Sequence, residues 1–124
     1  MHFLQIYLSF VSLIFKTLLL TFPFSLYTAE LSTYEGGNSL YEKIKSGNLF
    51  EKGIALGYVV GVYDAYVQEQ HWDKQNHYIC MNNQVTKGQI LDVVEKYLNE
   101  NPASRHQTAA GLVLNALSIS FPCN

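Results

Sequence analysis

From Asn48 to about Gln70, apolar residues recur every four positions, at Phe50, Ile54, Tyr58, Val62 and Tyr66, and Val59, Val60, Tyr63 and Val67 fill the flanks. A helix that is apolar nearly all round belongs inside a fold, so this segment is predicted as the central, buried helix. Gly53, Gly57, Gly61 and Ala65 form a second row at the same spacing. Each glycine costs about 1 kcal/mol against alanine inside a helix, so the row needs a packing reason. It predicts close helix-helix contact, either within the domain or across a dimer seam.

Three weaker helical patterns flank this one. Asn38 or Ser39 can cap a short helix with Leu40, Tyr41 and Ile44 on one side, stopped by Gly47. Thr86 with Gln89 three residues on forms a capping box, and Ile90, Val93, Val94, Tyr97 and Leu98 make the buried face of the helix that follows. Asn99 to Asn101 end it before Pro102, which suits the first position of a last helix capped by Asn101. On that last helix Ala109, Leu112, Val113, Ala116 and Leu117 face inward. No stretch alternates with the period of a strand. The expectation is an all-α fold, a small bundle of about four to five helices.

The N-terminal third follows a different rule. Phe3 to Phe15 are almost wholly apolar, Lys16 interrupts, and Thr17 to Tyr27 are apolar again, ending at Thr28-Ala29-Glu30. This order matches an export signal over residues 1–29, with an uncleaved anchor as the other reading. Residues 30–37 then read as a flexible lead-in, with a Gly-Gly pair, and 38–124 as the helical domain. Export places that domain in an oxidising compartment. There the two cysteines, Cys80 and Cys123, are first read as a disulfide.

Composition narrows the function classes. A chain of 124 residues with formal net charge -2 holds one domain and carries no basic footprint. Nucleic acid and anionic membrane surfaces are therefore not expected partners, and a membrane enters only if the N-terminal segment is retained.

Three constellations invite chemistry. Cys80 lies near His77, and His106 could approach it, which would make a Cys-His nucleophile; pairing with Cys123 removes that thiol. His71, Asp73, His77 and Cys80 are metal-ligand types within ten residues, but His-x5-His does not place two ligands on one helix face. Asp64, between tyrosines on the apolar helix, reads as a buried carboxylate bonded to a tyrosine hydroxyl or a helix end, or else as a general base without a partner. Phosphate loops and hydrolase triads are absent. The expectation is a protein that is not an enzyme, with no cofactor and no metal. Two polar loops remain, around Trp72 and Arg105, carrying residue types common among interface anchors.

Several blocks resemble a known family. They are Gly57-Tyr58-Val59-Val60-Gly61-Val62-Tyr63-Asp64-Ala65, Ile79-Cys80 and Val85-Thr86-Lys87-Gly88-Gln89 leading to Asp92-Val93-Val94. The pattern continues through Tyr97-Leu98, Asn101-Pro102, Arg105-His106, Ala109-Ala110, Leu112-Val113, Ala116-Leu117 and Phe121-Pro122-Cys123. In order and spacing they resemble the Rap/Tai family of type VI secretion immunity proteins, over about Leu40 to Cys123. The resemblance implies a periplasmic, helical, disulfide-bonded homodimer that binds a cognate peptidoglycan amidase effector. A loop between helices would plug the effector's cleft and spare the cell from lysis by its neighbours. The candidate contact residues are Asn99, Glu100, Asn101, Ser104, Arg105 and His106 in one loop, and His71, Trp72 and Asp73 in the other. A small disulfide-bonded periplasmic chaperone of the acid-resistance kind is the alternative reading.

Overall fold

The computed structural model describes residues 34–74 and 77–124. The expected export signal over 1–29 lies outside these residues. Four α-helices make up the described fold: α1 (Gly37–Lys45), α2 (Leu49–Trp72), α3 (Lys87–Glu100) and α4 (Ala109–Ser120), with a 3-10 turn over Pro102–Ser104. The described residues form no strand, only the isolated bridges Gly36 with Thr108 and Ile79 with Pro122. The fold is all-α, as the periodicity predicts.

The core is built where the four helices meet. Leu40 and Ile44 of α1, Ala55 and Val59 of α2, Val94 and Leu98 of α3, and Leu112, Val113, Ala116 and Leu117 of α4 are essentially sealed from water. Fully burying each large aliphatic side chain stabilises by roughly 1.5–3 kcal/mol. The most buried helix is α4, with all five inward residues of the sequence reading in the core.

The long helix α2 is not the buried centre. Only Ala55, Val59 and Tyr66 of its 24 residues are buried, while Phe50 is 71% and Ile54 41% exposed. Its helical partners lie along one side, and an added Cβ at the glycines Gly53, Gly57 and Gly61 meets no atom within 4 Å. An all-round apolar pattern thus marks a helix with a core face and a second apolar face that no helix among the described residues covers. Asp64 lies on the solvent side, so the expected buried carboxylate is exposed.

Local signals set most boundaries. Asn48 caps α2 by accepting from the Phe50 amide at 2.9 Å. Thr86 and Gln89 form the full capping box of α3. The last helix starts later than expected: Pro102 opens the 3-10 turn, and α4 begins at Ala109 under a Thr108 cap that accepts from the Gly111 amide. Nor do Asn38 and Ser39 cap α1; they lie inside it, and its N-cap, Gly36, has no side chain to offer.

The far end of the bundle is closed by Cys80–Cys123, with an S–S distance of 1.99 Å. Beside it the Cys80 amide donates to the Phe121 carbonyl at 2.8 Å. The Tyr66 hydroxyl, on a residue only 4% exposed, accepts from the amides of Tyr78 and Ile79 at 2.9 and 3.1 Å. The Tyr78 ring meets Tyr66 edge-on, with centroids 4.8 Å apart. These contacts pin the segment after α2 to the end of α4, so the disulfide acts as a staple between elements already in register.

Candidate functional site

Three helix ends converge on the connection between α3 and α4, and each leaves backbone groups that need partners. The first amides of α1 find theirs in the connection: Gly37 donates to the Gln107 carbonyl and Asn38 to the Arg105 carbonyl, both at 2.9 Å. The first amide of α4, on Ala109, donates to the Glu35 carbonyl at 3.1 Å. The carbonyls ending α3 are met by side chains. Arg105 Nε donates to Leu98 O at 2.6 Å, Nη2 reaches Asn99 O at 3.4 Å, and Asn101 Nδ2 donates to Tyr97 O at 2.9 Å.

Arg105 is central to this arrangement. Its guanidinium carbon stands 3.6 Å from the centroid of the Tyr41 ring on α1, a cation-π contact. The same cation lies at the C-terminus of α3, where the helix dipole favours positive charge. Tyr41 in turn donates its hydroxyl to Asn99 Oδ1 at 2.9 Å. Within the connection, Ser104 donates to Asn101 O, Gln107 to Ser104 O, and His106 Nδ1 lies 2.8 Å from Ala103 O. A backbone carbonyl only accepts, so in this bond Nδ1 carries the proton.

Glu35 buttresses the junction from the α1 side. Its carboxylate receives Lys43 Nζ at 2.9 and 3.0 Å, and Lys43 also donates to Ser39 Oγ at 2.7 Å. Burial pushes the Glu35 carboxyl up, but the bonds from Lys43 and Ser39 outweigh it and hold the group below the ordinary glutamate value. The stretch read as a flexible lead-in is therefore anchored at its end, over Glu35 to Gly37.

The expected contact residues separate into two places. Asn99, Glu100 and His106 are exposed on the connection, with Pro102, Ala103 and Gln107 beside them, whereas Asn101, Ser104 and Arg105 are half-buried within it. His71 and Trp72 close α2 as its last helical residues, and Asp73 is its C-cap. Trp72 is 79% exposed. The connection lies at the start of α4 and the Tyr66-Ile79-Pro122 cluster at its end, about 18 Å away for a helix of 12 residues.

The glycine row lies open. An added Cβ at Gly53, Gly57 or Gly61 would meet no atom within 4 Å, and Ala65 is exposed. Among the described residues, then, no helix of the same chain packs on the row. Nor does any group of three His, Cys, Asp or Glu side chains among them cluster as a metal site. Cys80 is held in its disulfide, which removes it as a nucleophile. No helix of the described residues is long and apolar enough to cross a membrane.

A scan of family models matches residues 36–123 to the Rap1a immunity proteins. The chain belongs to this family. Comparison with curated proteins finds no match. The Rap1a match begins at Gly36 and ends at Cys123, so it takes in the Asn99–Gln107 connection, Tyr41 and the disulfide but not Glu35. Its function is that of the family, immunity against an effector. The disulfide further suggests a location outside the cytoplasm. For a Rap1a protein the relevant property is the surface offered to an effector, and the described residues offer a stiff connection, a tryptophan and an apolar helix face. Sequence reading missed Tyr41, Glu35 and Thr108 as parts of the site. Thr108 ahead of an apolar helical run was a legible cap, but Tyr41 and Glu35 act only through contacts distant in sequence.

Proposed function

We propose that this chain works in the periplasm as a binding inhibitor of a peptidoglycan amidase injected by the type VI apparatus of a neighbouring cell. The surface from Asn99 to Gln107 enters the amidase cleft and denies it to the peptide stems of the wall. The observation that carries this reading is the pinning of one exposed connection by three helix ends at once. A plug that is already ordered loses little conformational entropy on docking, so more of its contact energy appears as affinity. The chain acts by occupying a site and performs no chemistry of its own.

Two copies are proposed to join along Gly53, Gly57, Gly61 and Ala65. The open row lets two backbones approach closely, and the exposed Phe50 and Ile54 beside it supply apolar area that water otherwise covers. A face that meets its own copy across a two-fold axis needs no second complementary surface.

The reading is tested by expressing a candidate amidase in the periplasm with and without this chain. Rescue from lysis by the wild-type chain is expected. Failure to rescue against type VI amidases, together with protection of an unfolding client at pH 2–3, would instead favour the chaperone reading.

A further inference from the structure

We propose that Arg105 is a positioning residue: it does not meet the effector but holds the Asn99–Gln107 connection in the shape that does. The inference rests on the reading above that this connection is the effector-facing surface. Arg105 is the one side chain of the connection whose charged group turns inward. Its Nε and Nη2 are spent on Leu98 O and Asn99 O, and its guanidinium lies against Tyr41. Its own carbonyl receives the Asn38 amide. One residue therefore links the end of α3, the ring of α1 and the first turn of α1. By contrast, His106 and Gln107, which follow it, are exposed and carry no bond to another helix through their side chains.

The contacts require a planar cation. Arginine can stack on a ring while its edge donates to two carbonyls, whereas a lysine ammonium is a point donor and cannot do both. Without the guanidinium the ends of α3 and α1 lose their common partner, and the connection samples shapes of which only some dock. A partner then binds a reduced population, which slows association and weakens affinity.

The test uses Arg105→Ala, Arg105→Lys and Tyr41→Leu in the full chain, with an amidase the wild type inhibits. The free proteins are read by amide hydrogen exchange at Gly37 and Asn38, whose amides end on the connection. In Arg105→Ala these amides exchange faster, and the dissociation constant rises by about tenfold or more, chiefly through slower association. Tyr41→Leu reproduces part of the loss, the double variant loses less than the sum, and Arg105→Lys does not restore the wild type. Should Arg105→Ala fail to fold, Arg105→Lys and Tyr41→Leu carry the same comparison. Unchanged exchange at Gly37 and Asn38 would overturn the proposal. So would faster dissociation at an unchanged association rate with Tyr41→Leu silent, because that is the signature of direct contact. If the wild type binds no amidase, the amidase reading fails by itself, and the exchange measurement alone decides whether Arg105 orders the connection.

Discussion

The carbonyl oxygen of Arg105 lies 2.7 Å from the place a Cβ at Gly37 would occupy, and Leu112 Cδ1 crowds the same spot. Glycine is thus required at the start of α1 by the close approach of a backbone, and no rotation of a side chain relieves both contacts. Gly37→Ala is expected to destabilise by about 1–3 kcal/mol, the usual range for overpacking. That lowers the melting temperature by several degrees per kcal/mol, readable in a thermal scan.

The open row on α2 predicts the opposite sign. Alanine at Gly57 meets nothing within the described residues and gains helix propensity, so Gly57→Ala should stabilise folding by about 0.5–1 kcal/mol in denaturant titration. A bulky residue there separates folding from assembly. Gly57→Leu is expected to fold while shifting the sedimentation of a two-fold dimer toward monomer.

Tyr66→Phe removes one oxygen that serves two amides. The ring still fills its place, but at least one buried amide loses its partner, costing about 1–3 kcal/mol. Hydrogen exchange should quicken at Tyr78 and Ile79 while the first turn of α1 keeps its protection.

Removing the staple tests how much the far end depends on it. Cys80 and Cys123 are 43 residues apart, so replacing both by alanine should cost up to about 4 kcal/mol in the chain-entropy account. The loss is read as a lower denaturation midpoint, with far-UV helicity kept under native conditions.

Acid weakens the junction through Glu35. Its carboxyl is held below its ordinary 4.5 in the folded state, so the stability it contributes is present above that value. It is lost as pH falls through the lower folded value. Glu35→Gln should flatten the acid limb of the stability curve and leave the chain weaker near neutrality, where the ion pair with Lys43 is gone.

Much of this architecture was legible along the chain, because it rests on short-range rules. The Thr86-Gln89 box and the inward stripe of α4 are set by residues three or four apart, and short-range patterns find them. The cysteine pair needed only the compartment. Periodicity failed at α2, since it reports that a face is apolar and not what covers it. Phe50, Ile54 and the glycines have the same pattern whether a helix of the same chain or a second molecule lies against them. It failed again at Pro102, because proline opens a 3-10 turn as readily as an α-helix and the polar run from Ser104 to Gln107 interrupts the apolar period. Arg105 looked like an exposed loop cation for a related reason: its partners, Leu98, Asn99 and Tyr41, come together only once three helix ends have met.

The Asn99–Gln107 surface is proposed to block an amidase. That proposal is tested most directly by titrating the amidase's hydrolysis of peptidoglycan with the wild-type chain and with a variant carrying His106→Ala and Gln107→Ala. Both side chains are exposed and neither bridges helices, so the variant should keep the wild-type melting temperature. Stoichiometric inhibition is expected from the wild type, and inhibition weakened by about tenfold or more from the variant. Equal inhibition by the two proteins, or strong inhibition lost only on changing Trp72, would contradict the proposal.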